Sequence, residues 1–323
     1  MAKSDANSSL NALSQQLAAA VETASPAVVS VDARPRVRTS GVTWREGLVV
    51  STNHTVRRDE DITVTLHDGR ELPATLAGRD PATDLAVLRL ESGEAAATDV
   101  VAATDVVNGT GDVAALRVGH LVLAAGRAHP SRGVTASFGI LSVVGGGWRT
   151  WRGGDIDRLI RPDVSIFDGF SGGALLDTEG RIIGIDTTGL ARGVGLTVPA
   201  ATVNRVVDSL LRHGRVTRPY LGVGMLHRVP LPEKLREKFN LPQASGLMLL
   251  SVEADGPADK AGLTIGDILL TLGGTAIPDA DDAQALLGGK EAGAVTRAEI
   301  LRGGELKEVE ITLGERPARR RRA

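Results

Sequence analysis

The sequence predicts a mostly β protein of at least two domains, and three observations carry that expectation. Between residue 28 and about 198, short runs rich in Val, Ile, Leu and Thr alternate with turns at the spacing of a barrel or sandwich, not of a βαβ sheet. Aromatic residues make up only 2% of a chain that is 42% hydrophobic, so its cores are built from Val, Leu, Ile and Ala, and 39 glycines supply the turns. A helical stretch at 201–213 stops at Gly214, and after a linker at 214–219 the β pattern starts again. With 323 residues the chain is long enough for two or three cores.

Taken in order, residues 9–23 place Leu10, Leu13, Leu17 and Val21 at helical spacing, with Ser8 or Ser9 as N-cap and Pro26 as the stop. Such a helix packs on the following domain or serves an oligomer contact. Strands are expected at 28–31, 47–51, 62–66, 71–76, 86–90, 121–125, 134–144, 174–176, 182–185 and 195–198, with Asp68-Gly69 closing a hairpin. The helix at 201–213 carries Val203, Val206, Val207, Leu210 and Leu211 on one face. These signals divide the chain into an N-terminal helical segment (1–26), a first domain (27–214), a second (215–315) and an Arg-rich tail (316–323). The tail reads as a solvated end, with docking to nucleic acid or membrane as the other reading.

A net charge of -2 gives no general reason to expect nucleic acid as a partner. With no cysteine, disulfides, thiolate zinc sites and cysteine nucleophiles are excluded, and no metal or cofactor is expected. The longest apolar stretch near the start, 17–21, is too short for a secretory h-region or a membrane span. The expectation is a cytoplasmic protein; the alternative is a periplasmic or secreted one whose leader is absent from this sequence.

The chemistry lies in three segments. Asp168-Gly169-Phe170-Ser171-Gly172-Gly173 presents a hydroxyl within a glycine-rich turn, where the amides of Gly169 and Ser171 are suited to form an oxyanion hole. Ser51-Thr52-Asn53-His54 places a histidine at the end of an apolar strand, and Asp80-Pro81-Ala82-Thr83-Asp84 places an acid at the entrance of another. The chain order His, Asp, Ser is that of chymotrypsin-type enzymes, unlike subtilisins or α/β-hydrolases.

These strings also carry a family resemblance. STNHTV, DPATDLAVLRL, DGFSGGALLDTEGRIIGI and SPAVVSV resemble the motifs of HtrA/Deg trypsin-like serine proteases over residues 18–314. The resemblance implies a double β-barrel protease domain followed by a small α+β PDZ domain, with His54, Asp84 and Ser171 as catalytic triad. It implies a serine endopeptidase acting on unfolded polypeptides, and a PDZ domain that binds protein C-termini. In the second domain, Tyr220-Leu221-Gly222-Val223 resembles the carboxylate-binding loop, and GPADKAGLTIGDILLTLGGTAI the PDZ helix–turn–strand pattern. A short helix at 258–263, a strand at 268–272 and a groove-lining helix at 281–287 are expected there.

Family members commonly trimerise through aromatic-rich N-terminal segments. A trimer is implied by resemblance only, because the first aromatic here is Trp44. The base of the specificity pocket falls at Ser165 and Ile166, neither acidic, which points to cleavage after small or medium aliphatic residues. Two departures stand out. Phe167 and Phe170 flank the turn before Ser171, where the family has Asn-Pro-Gly-Asn, and raise the question of whether the oxyanion hole is formed at rest. The glycine-rich stretch 145–154 holds Trp148 and Trp151 where the family has a regulatory loop; the rings either pack locally or act on substrate or the oxyanion loop. A catalytically silent or latent protease homologue acting as chaperone or peptide-binding protein is the alternative.

Overall fold

The structure is a computed structural model describing residues 2–91, 115–216, 219–288, 290 and 292–315; the Arg-rich tail lies outside them. It contains two compact units, Met1–Val216 and Thr217–Ala323.

Six strands of the first unit, β1 (Val28–Asp32), β2 (Thr39–Arg45), β3 (Leu48–Thr52), β4 (Ile62–Thr65), β5 (Glu71–Asp80) and β6 (Leu85–Leu90), close an antiparallel barrel in the order β1-β2-β3-β6-β5-β4. Eight more follow: β7 (Leu121–Gly126), β8 (Thr135–Val144), β9 (Trp148–Arg149), β10 (Asp155–Ile156), β11 (Ile160–Asp163), β12 (Ala174–Leu176), β13 (Ile182–Ala191) and β14 (Val194–Pro199). All but the β9–β10 hairpin form a second closed barrel, ordered β11-β14-β13-β12-β7-β8. Closure leaves no strand edge unpaired, which glycine-rich, aromatic-poor strands achieve by coiling tightly.

The apolar runs are explained by burial on both faces. In β6, Ala86 and Leu88 join Val29, Val31 and Val49 inside the first barrel, while Leu85 and Val87 turn to a shared core with Val42, Val50, Leu123, Leu176 and Ile185. A strand covered on both sides loses the apolar–polar alternation and reads as a continuous run. The shared core joins the two barrels. Helix α2 (Ala200–His213) seals it with Val203, Val206, Val207 and Leu210, and ends in Gly214 at φ 68°.

Three sequence expectations need correction here. Helix α1 runs Ala2–Ala24, so it starts well before Ser8 or Ser9. Its N-terminal apolar position is unused: Leu10 is 66% exposed, while Ala20 and Ala24 are buried, because small side chains let the helix approach the barrel closely. Strand β2 was not anticipated, since it carries Thr39, Ser40 and Thr43, which are polar yet fully buried. Strand β11 was also missed; its sequence, IRPD, contains a proline and two charges.

The second unit has a two-stranded pair, β15 (Pro219–Tyr220) with β22 (Gly314–Glu315). Its main sheet is ordered β16 (Val223–Pro230), β17 (Ser245–Val252), β18 (Ile268–Leu272), β20 (Val295–Arg302), β21 (Glu305–Thr312), with β19 (Thr275–Ala276) beside β18. Helices α3 (Glu233–Phe239), α4 (Pro257–Lys260) and α5 (Ala280–Gly288) complete it. Helix α4 is shorter than the expected 258–263 because Gly262, at φ 78°, has already left the helical region. Among the described residues, no helix is long and apolar enough to cross a membrane.

Candidate active site

His54 and Asp84 are 30 residues apart in sequence but adjacent in space through strand register. Strands β3 and β6 pair antiparallel with Thr52 opposite Leu85, so the residue after one strand meets the residue before the other. The Asn53 N–H donates to the Asp84 carbonyl at 2.9 Å. The His54 N–H donates to Asp84 Oδ1 at 2.9 Å, and His54 Nδ1 meets Asp84 Oδ2 at 2.7 Å. With Nδ1–H donating to the carboxylate, Nε2 keeps its lone pair for a proton. Asp84 sits at φ 58°, an unusual conformation for a non-glycine residue, at the end of a turn whose Thr83 hydroxyl and Ala82 N–H bond the Asp80 carboxylate.

Ser171 lies between β11 and β12, in a loop fixed from several directions. The Phe170 N–H donates to the Phe167 carbonyl at 3.0 Å and Gly169 has φ 87°, the arrangement of a type II turn, whose third residue requires positive φ. The Thr39 hydroxyl donates to the Ser171 carbonyl and the Ser40 hydroxyl to the Gly169 carbonyl, each at 2.6 Å. Among the described residues, no internal acceptor takes the N–H of Gly169 or Ser171, which leaves both amides available to an incoming oxyanion. Phe170 is 3% exposed, in the core of the second barrel with Val122, Leu141 and Ile183. Phe167 stays exposed and meets it edge to face at 5.3 Å. Burying a ring of this size is worth about 2–3 kcal/mol, so Phe170 anchors the loop by packing instead of distorting it.

Strand β13 underlies all three residues. The Thr187 hydroxyl donates to Asp84 Oδ2 at 2.5 Å, Thr188 Oγ1 lies 3.2 Å from Ser171 Oγ, and a Cβ on Gly189 would fall 2.7 Å from His54 Nδ1. Among the described residues, the hydrogen bond of the Ser171 hydroxyl is to Thr188, and none joins it to His54. Thr187, Thr188, Thr39 and Ser40 were missed in the sequence. The one signal was the polar pair Thr187-Thr188 continuing the apolar run Ile182–Ile185.

One residue earlier, Asp186 is fully buried, and its backbone holds the Ser171 loop: its carbonyl accepts from the Gly172 N–H and its N–H donates to the Gly173 carbonyl. Burial pushes its carboxyl up to about 7, against the opposing effect of the Thr197 hydroxyl that donates to it.

The remaining expected positions are scattered. Ser165 is exposed, with its N–H on the Ser137 hydroxyl, while Ile166 lies where a Cβ on Gly195 would meet its Cδ1 at 2.3 Å. Trp148 is half-buried in the β9–β10 hairpin, and Trp151 is 74% exposed with the Arg152 guanidinium over its ring at 4.5 Å. The hairpin is tied to the turn before Asp84, since the Thr150 hydroxyl donates to the Ala82 carbonyl at 2.7 Å. In the second unit, Tyr220 pairs with Gly314, Leu221 is buried and Gly222 has φ 74°. The Leu221 carbonyl accepts from the Ala258 N–H and the Gly222 carbonyl from the Glu253 N–H. Among the described residues, the N–H groups of Leu221 and Gly222 have no internal acceptor.

Residues 39–185 match the family model of the trypsin-like peptidase domain, and residues 219–313 that of the PDZ domain. The chain is 32% identical over 290 residues to a probable periplasmic serine endoprotease DegP-like of Brucella suis biovar 1, covering 88% of this chain and 54% of that protein. It is 34% identical over 278 residues to the protein of the same description from Ectopseudomonas mendocina, covering 84% and 55%. The chain thus spans about half the length of the curated relatives it matches. Among solved structures, the serine endoprotease from Yersinia pestis is 30% identical with a TM-score of 0.72, covering 93% of this chain and 98% of that one. The HtrA-type protease AlgW with tripeptide is 32% identical with a TM-score of 0.72, covering 94% and 98%. These relatives overturn the expectation of a cytoplasmic protein, because those named with a compartment are periplasmic. That expectation rested on the lack of a secretory h-region near the start, and an apolar stretch as short as 17–21 does not determine the compartment.

Proposed function

Since this chain belongs to the HtrA/Deg family of trypsin-like serine proteases with a PDZ domain, we propose that it is an endopeptidase in which Ser171, His54 and Asp84 act as the triad. Ser171 Oγ attacks the scissile carbonyl while His54 Nε2 takes its proton and later gives it to the leaving amine. Asp84 fixes the imidazole tautomer and stabilises the imidazolium. The amides of Gly169 and Ser171 receive the oxyanion. The observation that carries this reading is the Asp84 carboxylate, which bonds both His54 and Thr187 one residue before the Thr188 that holds Ser171.

The substrate class follows from Ile166. Its packing against Gly195 shortens the pocket, and no acid waits at Ser165, which favours small or medium aliphatic side chains before the scissile bond. Such residues are buried in folded proteins, so unfolded polypeptides are the substrates. Residues 27–214 form the peptidase domain and 215–315 the PDZ domain, in which Tyr220–Val223 receives a peptide's C-terminal carboxylate and the peptide pairs with β16. A second reading, a latent form, is favoured by the Ser171–Thr188 bond, since the hydroxyl must swing to His54 before it reacts. Casein degradation by the wild type and not by Ser171→Ala supports the endopeptidase. A fluorophosphonate that labels Ser171 only when a C-terminal peptide is added supports the latent form, and no labelling under either condition removes both.

A further inference from the structure

The loop between β1 and β2 reads Ala33-Arg34-Pro35-Arg36-Val37-Arg38, and the segment after His54 continues to Arg57-Arg58. Fold and hydrogen bonds bring the two together: the Ala33 carbonyl accepts from the N–H groups of Arg57 at 2.9 Å and Arg58 at 3.0 Å. Two of the five arginines are neutralised, Arg38 by Asp32 and Glu71 and Arg58 by Asp32. Asp59, the next acid along the chain, pairs with Arg79. Among the described residues, Arg34, Arg36 and Arg57 have no ion-pair partner. With Pro35 and Val37 they line a concavity of about 360 Å³.

This concavity is built. Arg34 Nε donates to the Val37 carbonyl and the Val37 N–H to the Pro35 carbonyl, each at 2.9 Å, so the loop closes on itself. Arg36 is held at φ 69°, an outlier for a long side chain that the surrounding structure must impose. Like charges gathered without counter-ions cost stability unless something anionic visits them, and a concave wall focuses their field.

Its position gives the visitor. The arginine loop runs straight into Thr39 and Ser40, which hold the carbonyls of Ser171 and Gly169, and Arg57 lies three residues beyond His54. Thr188 of β13 lies against Ser171, and on the endopeptidase reading Ile166 beside Gly195 receives the residue before the scissile bond. In acyl transfer the leaving amine is the group that His54 protonates, so the departing segment passes His54 toward the first barrel. We propose that Arg34, Arg36 and Arg57 form a subsite for acidic side chains at roughly the second to fourth residue beyond the scissile bond, the reach of a few extended residues. This subsite rests on the endopeptidase reading and adds a charge preference to it.

The test compares quenched-fluorescence peptides identical up to the scissile bond and carrying Asp-Asp, Asn-Asn or Lys-Lys beyond it. A peptidyl p-nitroanilide, which has no residue there, reports the basal chemistry. The wild type is expected to show kcat/KM falling from Asp to Asn to Lys, with roughly a tenfold step between Asp and Asn at low salt. That step shrinks below about twofold at high salt, where screening acts within a few ångströms. The double variant Arg36→Asn/Arg57→Gln keeps the loop, because Asn accepts positive φ and Arg34 retains its bond to Val37. It is expected to hydrolyse the p-nitroanilide like wild type and to lose the Asp preference. Equal rates on Asp and Asn peptides in wild type, or a preference that persists in the variant, overturn the subsite while leaving the endopeptidase standing. Heparin binding abolished in the variant, with Asp and Asn peptides cleaved alike, assigns the concavity to a polyanion and also overturns it. No hydrolysis of any of these substrates by a folded wild type overturns the endopeptidase reading and the subsite with it.

Discussion

Each unit of the molecule buries an aspartate, and the two are satisfied in opposite ways. Among the described residues, Asp186, in the second barrel, has the Thr197 hydroxyl as its one side-chain partner, and burial pushes its carboxyl up to about 7. Asp267, in the second unit, is 1% exposed beneath the partly exposed Arg302, which grips both its oxygens at 2.7 Å, and the Thr264 N–H adds a third bond. Burial alone would raise the carboxyl of Asp267; the guanidinium and the amide outweigh it and hold it below the ordinary range. Among the described residues, Asp84 is bonded by an imidazole, an amide and a hydroxyl and by no arginine. The difference teaches that, among the described residues, Asp84 and Asp186 are held by hydroxyl, amide and imidazole groups without a guanidinium. The PDZ unit instead uses a fixed ion pair to set the turn at Gly266-Asp267.

The comparison breaks most visibly at Asp84. Asp84→Asn should lower kcat on a peptidyl p-nitroanilide by about 10⁴-fold with little change in melting temperature, because the amide favours the wrong imidazole tautomer. A comparable loss of folding would make Asp84 structural instead. The next effect is on stability against pH. The folded state holds the Asp186 proton up to about 7, while the unfolded chain releases it near 4. Stability therefore falls as pH rises between those values and levels above, by about 4 kcal/mol in total. Asp186→Asn should remove that fall, read by urea denaturation at pH 5 and pH 8.

Arg302→Met should act in the opposite sense. It leaves the Asp267 carboxylate buried without its cation and destabilises the PDZ unit by about 3 kcal/mol at neutral pH. The intact pair stabilises above the unfolded carboxyl's ordinary value and fades as pH falls through the lower folded one, so the variant's deficit should shrink in acid. The smallest effect is expected at Thr188. Thr188→Val removes the resting partner of Ser171 and should raise the rate of fluorophosphonate labelling about threefold, the worth of one weak hydrogen bond. An unchanged rate would mean that this bond does not restrain the nucleophile.

The particular residues show how much was legible. The run Ala86–Leu90 read as a strand, and it lies within β6, whose apolar residues face a core on each side. Asp68-Gly69 read as a hairpin and joins β4 to β5, with Gly69 at φ 88°. His54, Asp84 and Ser171 were visible as polar residues placed at strand ends and in a glycine turn, where chemistry-bearing side chains break an apolar pattern. Thr39 and Ser40 were not visible. A buried hydroxyl looks like a turn residue until the carbonyl it serves, from a loop some 130 residues away, is placed beside it. The Phe170 question also needed the second barrel, which shows the ring filling a core that the loop lies against.

By itself, the sequence determined the class of each segment, because strand burial and turn chemistry are written in local patterns of apolar residues and glycines. It also determined which side chains have reactive groups, since only a few residue types carry them. The tertiary structure alone decided which groups meet, through the pairing of Thr52 with Leu85 and the passage of β13 beneath Ser171. It also decided which buried acid keeps a proton and which keeps a guanidinium. Hydrogen bonds and charge act through ångströms of space, and a chain records only the order of its residues.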